Sequence, residues 1–244
     1  MTSKRQQLLA LMSWSYIRNR NLLLLCCIFQ LLMTLALTFG YSQIIPQADD
    51  QINLYLASGA ITMGMVTIGT TIAPQTLTND KENGLVTYVK TLPVNRELIL
   101  LSDILIWSLS AIPGVCISFL VVFLKFRILP TFSWSGLLVL YLILVTMISL
   151  GFSIAYATSP SLTILMTQII LMIGLLFAPI LYPAERIPAA ILAIYQFLPF
   201  VPSGDLIRNT FFQNQDIAWP KVGIVVFWLL TCSVISLKQL KKRF

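Results

Sequence analysis

A single carboxylate, Asp103, stands inside an otherwise apolar run, in LILLSDILIW at residues 98–107. A charge at the centre of a hydrocarbon layer costs about 2.5–3.5 kcal/mol on insertion scales and less near the rim. Such an acid therefore pairs with a cation near an interface, or it serves as a gate or substrate contact. Arg96 lies seven residues earlier on about the same helical face, which favours the paired reading. The other polar concentration is NDKENG, residues 79–84, where Asp80, Lys81 and Glu82 stand beside Asn83 and Gly84, followed by the turn LPVNR ending at Arg96. Charges next to turn formers read as a short structured element with a charged rim, held against the membrane. The sequence contains no histidine, which excludes His-containing zinc sites and Ser-His or Cys-His catalysis. Cys26, Cys27, Cys116 and Cys232 fall in apolar runs without a CxxC pair, and read as small hydrophobes. No GxxxxGK[ST] phosphate loop occurs.

The elements that must hold these residues are membrane helices. Of 244 residues, 57% are hydrophobic and 10% charged, whereas soluble domains carry about 25% charged residues. Runs of about 18 or more apolar residues suffice to cross a core of ~30 Å. Six candidates read as roughly 22–42, 52–75, 98–124, 136–157, 162–182 and 221–237, leaving one membrane domain over 1–244 without room for a separate soluble one. The net charge of +7 is split between chain ends and one loop, so it does not mark a nucleic-acid surface. With both termini in the cytoplasm, eleven basic residues, among them Arg18, Lys81, Lys90, Arg96 and Lys241, lie inside. Lys125, Arg127, Arg186, Arg208 and Lys221 then lie outside. The positive-inside rule selects this orientation and makes the NDKENG loop cytoplasmic.

Residues 3–20, SKRQQLLALMSWSYIRNR, align Leu8, Leu11, Met12 and Tyr16 on one stripe, the pattern of an interfacial helix. The alternative is a tail merging into the first span. A signal peptide fits less well, since LLLLCCIFQLLMTLALTF is long for one and further spans follow. In the second span Gly59, Gly64 and Gly69 are five apart and share no stripe, whereas Ala60, Gly64, Thr67 and Thr71 do, allowing close approach of a helix within the protomer or across a dimer. TSPS, residues 158–161, forces an antiparallel hairpin between spans four and five. Residues 183–220 carry five prolines around a run of about ten apolar residues, 189–198, too short to span. Pro188 suits the first turn of a helix there, and the segment reads as an external re-entrant or interfacial hairpin. No internal repeat is visible.

In the loop, Gly84 is expected in the left-handed region, LVTYVKTL in a short helix, and Asn95 at the cap of the third span. At this point NDKENGLVTYVKTLPVNRELILLSDIL resembles the segment of ABC-2 type transporter permeases in which an acidic and basic cluster with a glycine precedes an LPVSR turn and the third span. Pro199 and Arg208 in PFVPSGDLIR look like that family's proline and arginine at the end of the external hairpin. The resemblance implies an all-α fold of six spans with an N-terminal interfacial helix, in the plasma membrane. It implies a permease that dimerises with an identical or sister permease through spans one, two and five. Two separate cytoplasmic ABC ATPase subunits, carrying the ATP and Mg, would drive it, with no cofactor in this chain. Asp80, Lys81, Glu82, Asn83, Gly84 and Arg96 would be the ATPase-coupling set. Ser102 and Asp103 stand where the family often has Gly-Lys, so the family's lysine is not carried over. The function implied is ATP-driven export of an amphipathic drug, antimicrobial peptide or lipid-linked compound. An ion-coupled secondary transporter and a non-transporting immunity or assembly factor are the alternatives.

Overall fold

The second span is the post around which the rest is arranged. In the computed structural model, which describes residues 4–44, 49–183 and 188–241, all regular structure among the described residues is helical. The start of the N-terminal stretch, Arg186, Lys242 and Arg243 lie outside the described residues.

Helix α1, Lys4–Leu35, continues through a π turn, Ala36–Gly40, into Tyr41–Ile44. Helix α2 is Asp50–Glu82, with a π turn at Ile68–Ile72. There follow α3, Leu85–Thr91; α4, Arg96–Phe126; α5, Trp134–Ala157; and α6, Pro160–Leu176. Last come α7, Ala189–Phe197; α8, Phe200–Ile207, prolonged by a π turn Arg208–Phe212; and α9, Trp219–Lys241. Among the described residues five helical stretches are long and apolar enough to cross a membrane, Leu24–Gln43, α2, α4, α5 and α9, and the bent pair α7–α8 makes a sixth if it is one broken span.

Three expectations change. Residues 4–20 and the first span are one uninterrupted helical run, so no break separates the N-terminal helix from the span. It buries Leu11, Ser15 and Asn19, a partly polar stripe, while Tyr16 is 54% exposed. The second span does not end at 75 but carries its helix into the charged cluster as far as Glu82. The fifth span is shorter than 162–182, since α6 stops at Leu176 after 17 residues, about 26 Å, and a turn segment follows. The bend between α7 and α8 is 77°.

Of the apolar window in α2, 94% is buried, against 28% for Leu24–Gln43 and 17% for α9. A helix enclosed this way needs small residues wherever neighbours cross it. Its three glycines meet three different elements: Gly59 faces the turn at Ile180 and Leu181, Gly64 faces Gln30 of α1, and Gly69 faces Met147 of α5. At the last crossing a Cβ on Gly69 would lie 2.5 Å from the Met147 carbonyl carbon, and one on Gly151 would strike the Gly69 carbonyl oxygen. The reading of small residues as packing within the protomer is therefore the one the structure supports. The π turn at 68–72 stands immediately before Pro74, which has no N–H to give the ladder; Ala73 N–H instead bonds Ile68 O.

Around α2, α1 packs chiefly on α4, and α9 on α5. The α1–α4 seam is partly polar: Gln30 Nε2 donates to Ser118 Oγ at 3.1 Å, and the Thr34 and Ser118 hydroxyls are 2.7 Å apart. At the end remote from the charged loop, Phe119, Phe132 and Phe211 cluster with centroids 5.0–5.7 Å apart. Thr131 N–H bonds Phe211 O there, tying the α4–α5 link to the π turn after α8.

Candidate functional site

The loop between α2 and α4 is built from two helix ends. At the end of α2, Asn83 N–H bonds Asn79 O and Gly84 N–H bonds Lys81 O. Gly84 then takes φ 72°, the left-handed conformation expected for it, which a side chain would strain. The chain re-enters helix at Leu85. After α3, Leu92 is extended, and Asn95 occupies the cap position of α4 without a side-chain capping bond.

Five of the six residues of the expected coupling set separate into two groups. Lys81 Nζ donates to Ala155 O at 2.6 Å and Thr158 O at 2.9 Å, placing a cation on the orphan carbonyls at the end of α5. Arg96 donates from its guanidinium to Val89 O at 3.1 Å and to Lys90 O, closing the end of α3. Both therefore brace the loop from inside. Glu82, Asn83 and Gly84 form its exposed turn. The same surface carries Thr87, Thr91 and Tyr88, the last 60% exposed.

Asp80 belongs to neither group. With Asp103 it converges on Arg18 of α1: Arg18 Nη2 is 3.5 Å from Asp80 Oδ2 and 3.4 Å from Asp103 Oδ1. Ser15 Oγ donates to Asp103 Oδ1 at 2.7 Å. The three side chains are 17%, 14% and 9% exposed, so this is a largely desolvated cation shared by two acids. The Arg18 guanidinium also lies 4.5 Å from the Trp14 ring centre. Asp103 is thus paired with a basic residue, as expected, but that residue is Arg18 and not Arg96, which is turned away toward α3. Leu11 of α1 packs with Val89 and Ile99, so the N-terminal helix, the loop helix and the start of α4 share one small apolar core beside these ions. The electrostatics tie α1, α2 and α4 together where the loop begins.

At the opposite end, Pro188 precedes α7 in extended backbone and its carbonyl accepts from Ile191 and Leu192 N–H, so it caps the helix instead of entering its first turn. Pro199 caps α8, its carbonyl accepting from Ser203 N–H and Oγ–H. Arg208, read from the sequence as part of an external hairpin, is buried at 4% exposure, bonded to Asp205 at 2.8 Å and stacked on Tyr55 at 3.5 Å.

Sequence reasoning missed Arg18, Ser15, Tyr88, Tyr55, Asp205 and Lys221. A usable signal existed for Arg18, since an isolated cation and an isolated acid bordering apolar runs are each costly unless they meet. Tyr88 carried none, because an aromatic in LVTYVK is equally suited to a core.

A bundle of long apolar helices with charge gathered at its ends defines a polytopic α-helical integral membrane protein. Residues 5–212 match the profile of the ABC-2 type transporter, and the chain belongs to that family. It is accordingly a transmembrane permease component of an ABC transporter. The match stops short of α9. No curated protein matches the chain closely enough to count as a relative.

Proposed function

We propose that the chain is the permease subunit of an ATP-driven exporter for an amphipathic compound, powered by two ATPase subunits on separate chains that carry the ATP and Mg. It assembles with a second permease, identical or sister, in the plasma membrane, with both termini and residues 76–97 in the cytoplasm. The observation that carries the reading is the construction of that loop. Lys81 fastens it to α5 and Arg96 closes its helix, while Glu82, Asn83, Gly84 and Tyr88 are left facing outward. A rigid element at the tip of the 33-residue helix that forms the centre of the bundle is suited to convey a push from a docked partner into the spans. Within this reading Glu82, Asn83 and Gly84, joined by Tyr88, contact the ATPase. Asp80, Lys81 and Arg96 hold the contact surface in place.

Asp103 favours this reading over an ion-coupled carrier. It sits near one end of its span, and its charge is already matched by Arg18. Purification from the native membrane with identification of co-eluting chains tests the proposal. An ABC ATPase is expected among them, and its absence from an intact, folded preparation would count against the reading.

A further inference from the structure

The end of the bundle remote from the loop holds a polar cleft of about 220 Å³ among helices that are otherwise apolar. It opens between the start of α2, α7, α8 with its π turn, and the start of α9. Gln51, on its wall, is separated from Glu82 by most of α2, roughly 45 Å along the helix. The site is thus distinct from the ion pairs and loop described above.

Its charges are Asp205, Arg208 and Lys221. Asp205 is fully committed: Oδ1 accepts from Arg208 at 2.8 Å and Oδ2 from Lys221 at 2.6 Å. Two cations therefore share one carboxylate. Arg208 is 4% exposed, one face of its guanidinium is stacked on Tyr55, and its Nε–H has no acceptor among the described residues. Lys221 uses one of its three N–H donors on Asp205 and is 36% exposed at the side chain, within reach of the opening. The amides of Gln196, Asn209 and Gln213 complete the wall with groups that can also donate. The wall therefore carries one net positive charge, two cations against one carboxylate. A buried arginine with an unsatisfied donor is costly to keep in a membrane protein unless something completes it.

We infer that this cleft binds a single oxyanion group, a phosphate of head-group size, held by Arg208 and Lys221 with the amides as secondary donors. The excess of one positive charge sets the charge of the ligand, and the planar Arg208 edge suits a phosphate. The volume is below the ~300 Å³ at which drug-sized sites begin, which limits the ligand to a head group or free phosphate ester. Its acyl chains, if it has them, would run along the apolar flanks into the bilayer.

The full-length protein in nanodiscs supplies the test. Discs of pure phosphatidylcholine are compared with discs of equal parts phosphatidylcholine and phosphatidylglycerol, and lipid retained on the ejected protein is read by native mass spectrometry. Soluble glycerol phosphate and inorganic phosphate are then added as competitors. The parent is expected to retain one phosphatidylglycerol, and Lys221→Gln to weaken retention about tenfold, the loss of one charge-assisted bond. Lys125→Gln, whose ammonium sits over Phe39 outside the cleft, should leave retention unchanged. Gln196→Leu is the second variant, should Lys221→Gln fail to fold, and weakening by it supports the site equally. Displacement by glycerol phosphate assigns the site to a free phosphate ester, and resistance to it assigns the site to the intact lipid. Equal retention by the parent and these variants, or none by the parent from either source, would overturn the inference.

Discussion

Arg18 is the residue on which the inner end of the bundle turns, because its guanidinium lies within 3.5 Å of both Asp80 and Asp103. Removing one member of a buried ion pair leaves its partner desolvated and costs about 3–5 kcal/mol, whereas replacing the whole pair is far milder. Arg18→Met is therefore expected to lower stability in detergent by about 3 kcal/mol or more, since it strands two acids. Asp103→Asn should cost less, because Arg18 keeps Asp80 and Ser15 keeps an acceptor. Adding Asp103→Asn to Arg18→Met should recover part of the loss. Thermal denaturation of the three variants checks this order, and a milder effect for Arg18→Met than for Asp103→Asn would contradict it. The sequence made Asp103 conspicuous and suggested that it is paired. It could not show with what, because Arg96 satisfied the helical spacing while Arg18 is 85 residues away and meets Asp103 only through the packing of α1 on α4. Spacing rules reach one helix, and this pair spans two.

Among the elements, the loop shows how local signals and tertiary ones divide. Its turn at Gly84, the short helix after it and the new helix at Arg96 were all legible, because each rests on near neighbours: φ of a glycine, a proline and a cap position. The inward brace of Lys81 was not, since its acceptors lie on α5, 74 and 77 residues further on. A β-carbon in the left-handed region costs roughly 1–2 kcal/mol, so Gly84→Val is expected to destabilise or reposition α3. Substituted on a cysteine-free background, Lys81→Met should raise the rate at which a cysteine at position 87 is labelled, while Lys125→Met should not. Unchanged labelling would mean that the lysine does not brace the loop. In the bundle, Gly69→Ala and Gly151→Ala each place a methyl against the backbone of the facing helix, where overpacking costs about 1–3 kcal/mol. Gly223→Ala, with open space around it, should be neutral in the same melt. Of the six runs read from hydropathy, five lie on helices long and apolar enough to cross a membrane, and the fifth in order lies on the shorter α6. Their ends were not legible in it, because helix hydrogen bonding continues past the apolar run in α2, and α6 gives way to a turn before the apolar run ends.

At the scale of the whole molecule the enclosure of α2 changes which surfaces can meet a second permease. With 94% of its apolar window buried in the protomer, the second span offers little surface there, so the proposed dimer would draw its contacts from spans one and five. Leu24, Leu25, Ile28 and Leu32 of α1, and Leu165, Ile169 and Met172 of α6, are exposed by 43–66% and form the two candidate faces. Cysteine pairs placed along these faces are expected to cross-link between protomers, and cross-links confined to α4, α5 and α9 would contradict this. Topology is tested by the same chemistry, since a cysteine at position 82 should be inaccessible from outside intact cells and one at 129 accessible. The central claim is that force enters through the outward surface of the loop, and it is tested most directly on the ATPase that co-purifies with the parent. Truncating an aromatic anchor at an interface costs about 2–4 kcal/mol. Tyr88→Ala, and more so Tyr88→Ala with Glu82→Ala, should therefore reduce recovery of that ATPase at least tenfold at equal membrane insertion, while Lys125→Ala recovers it fully. Full recovery and undiminished transport by the double variant would contradict the account.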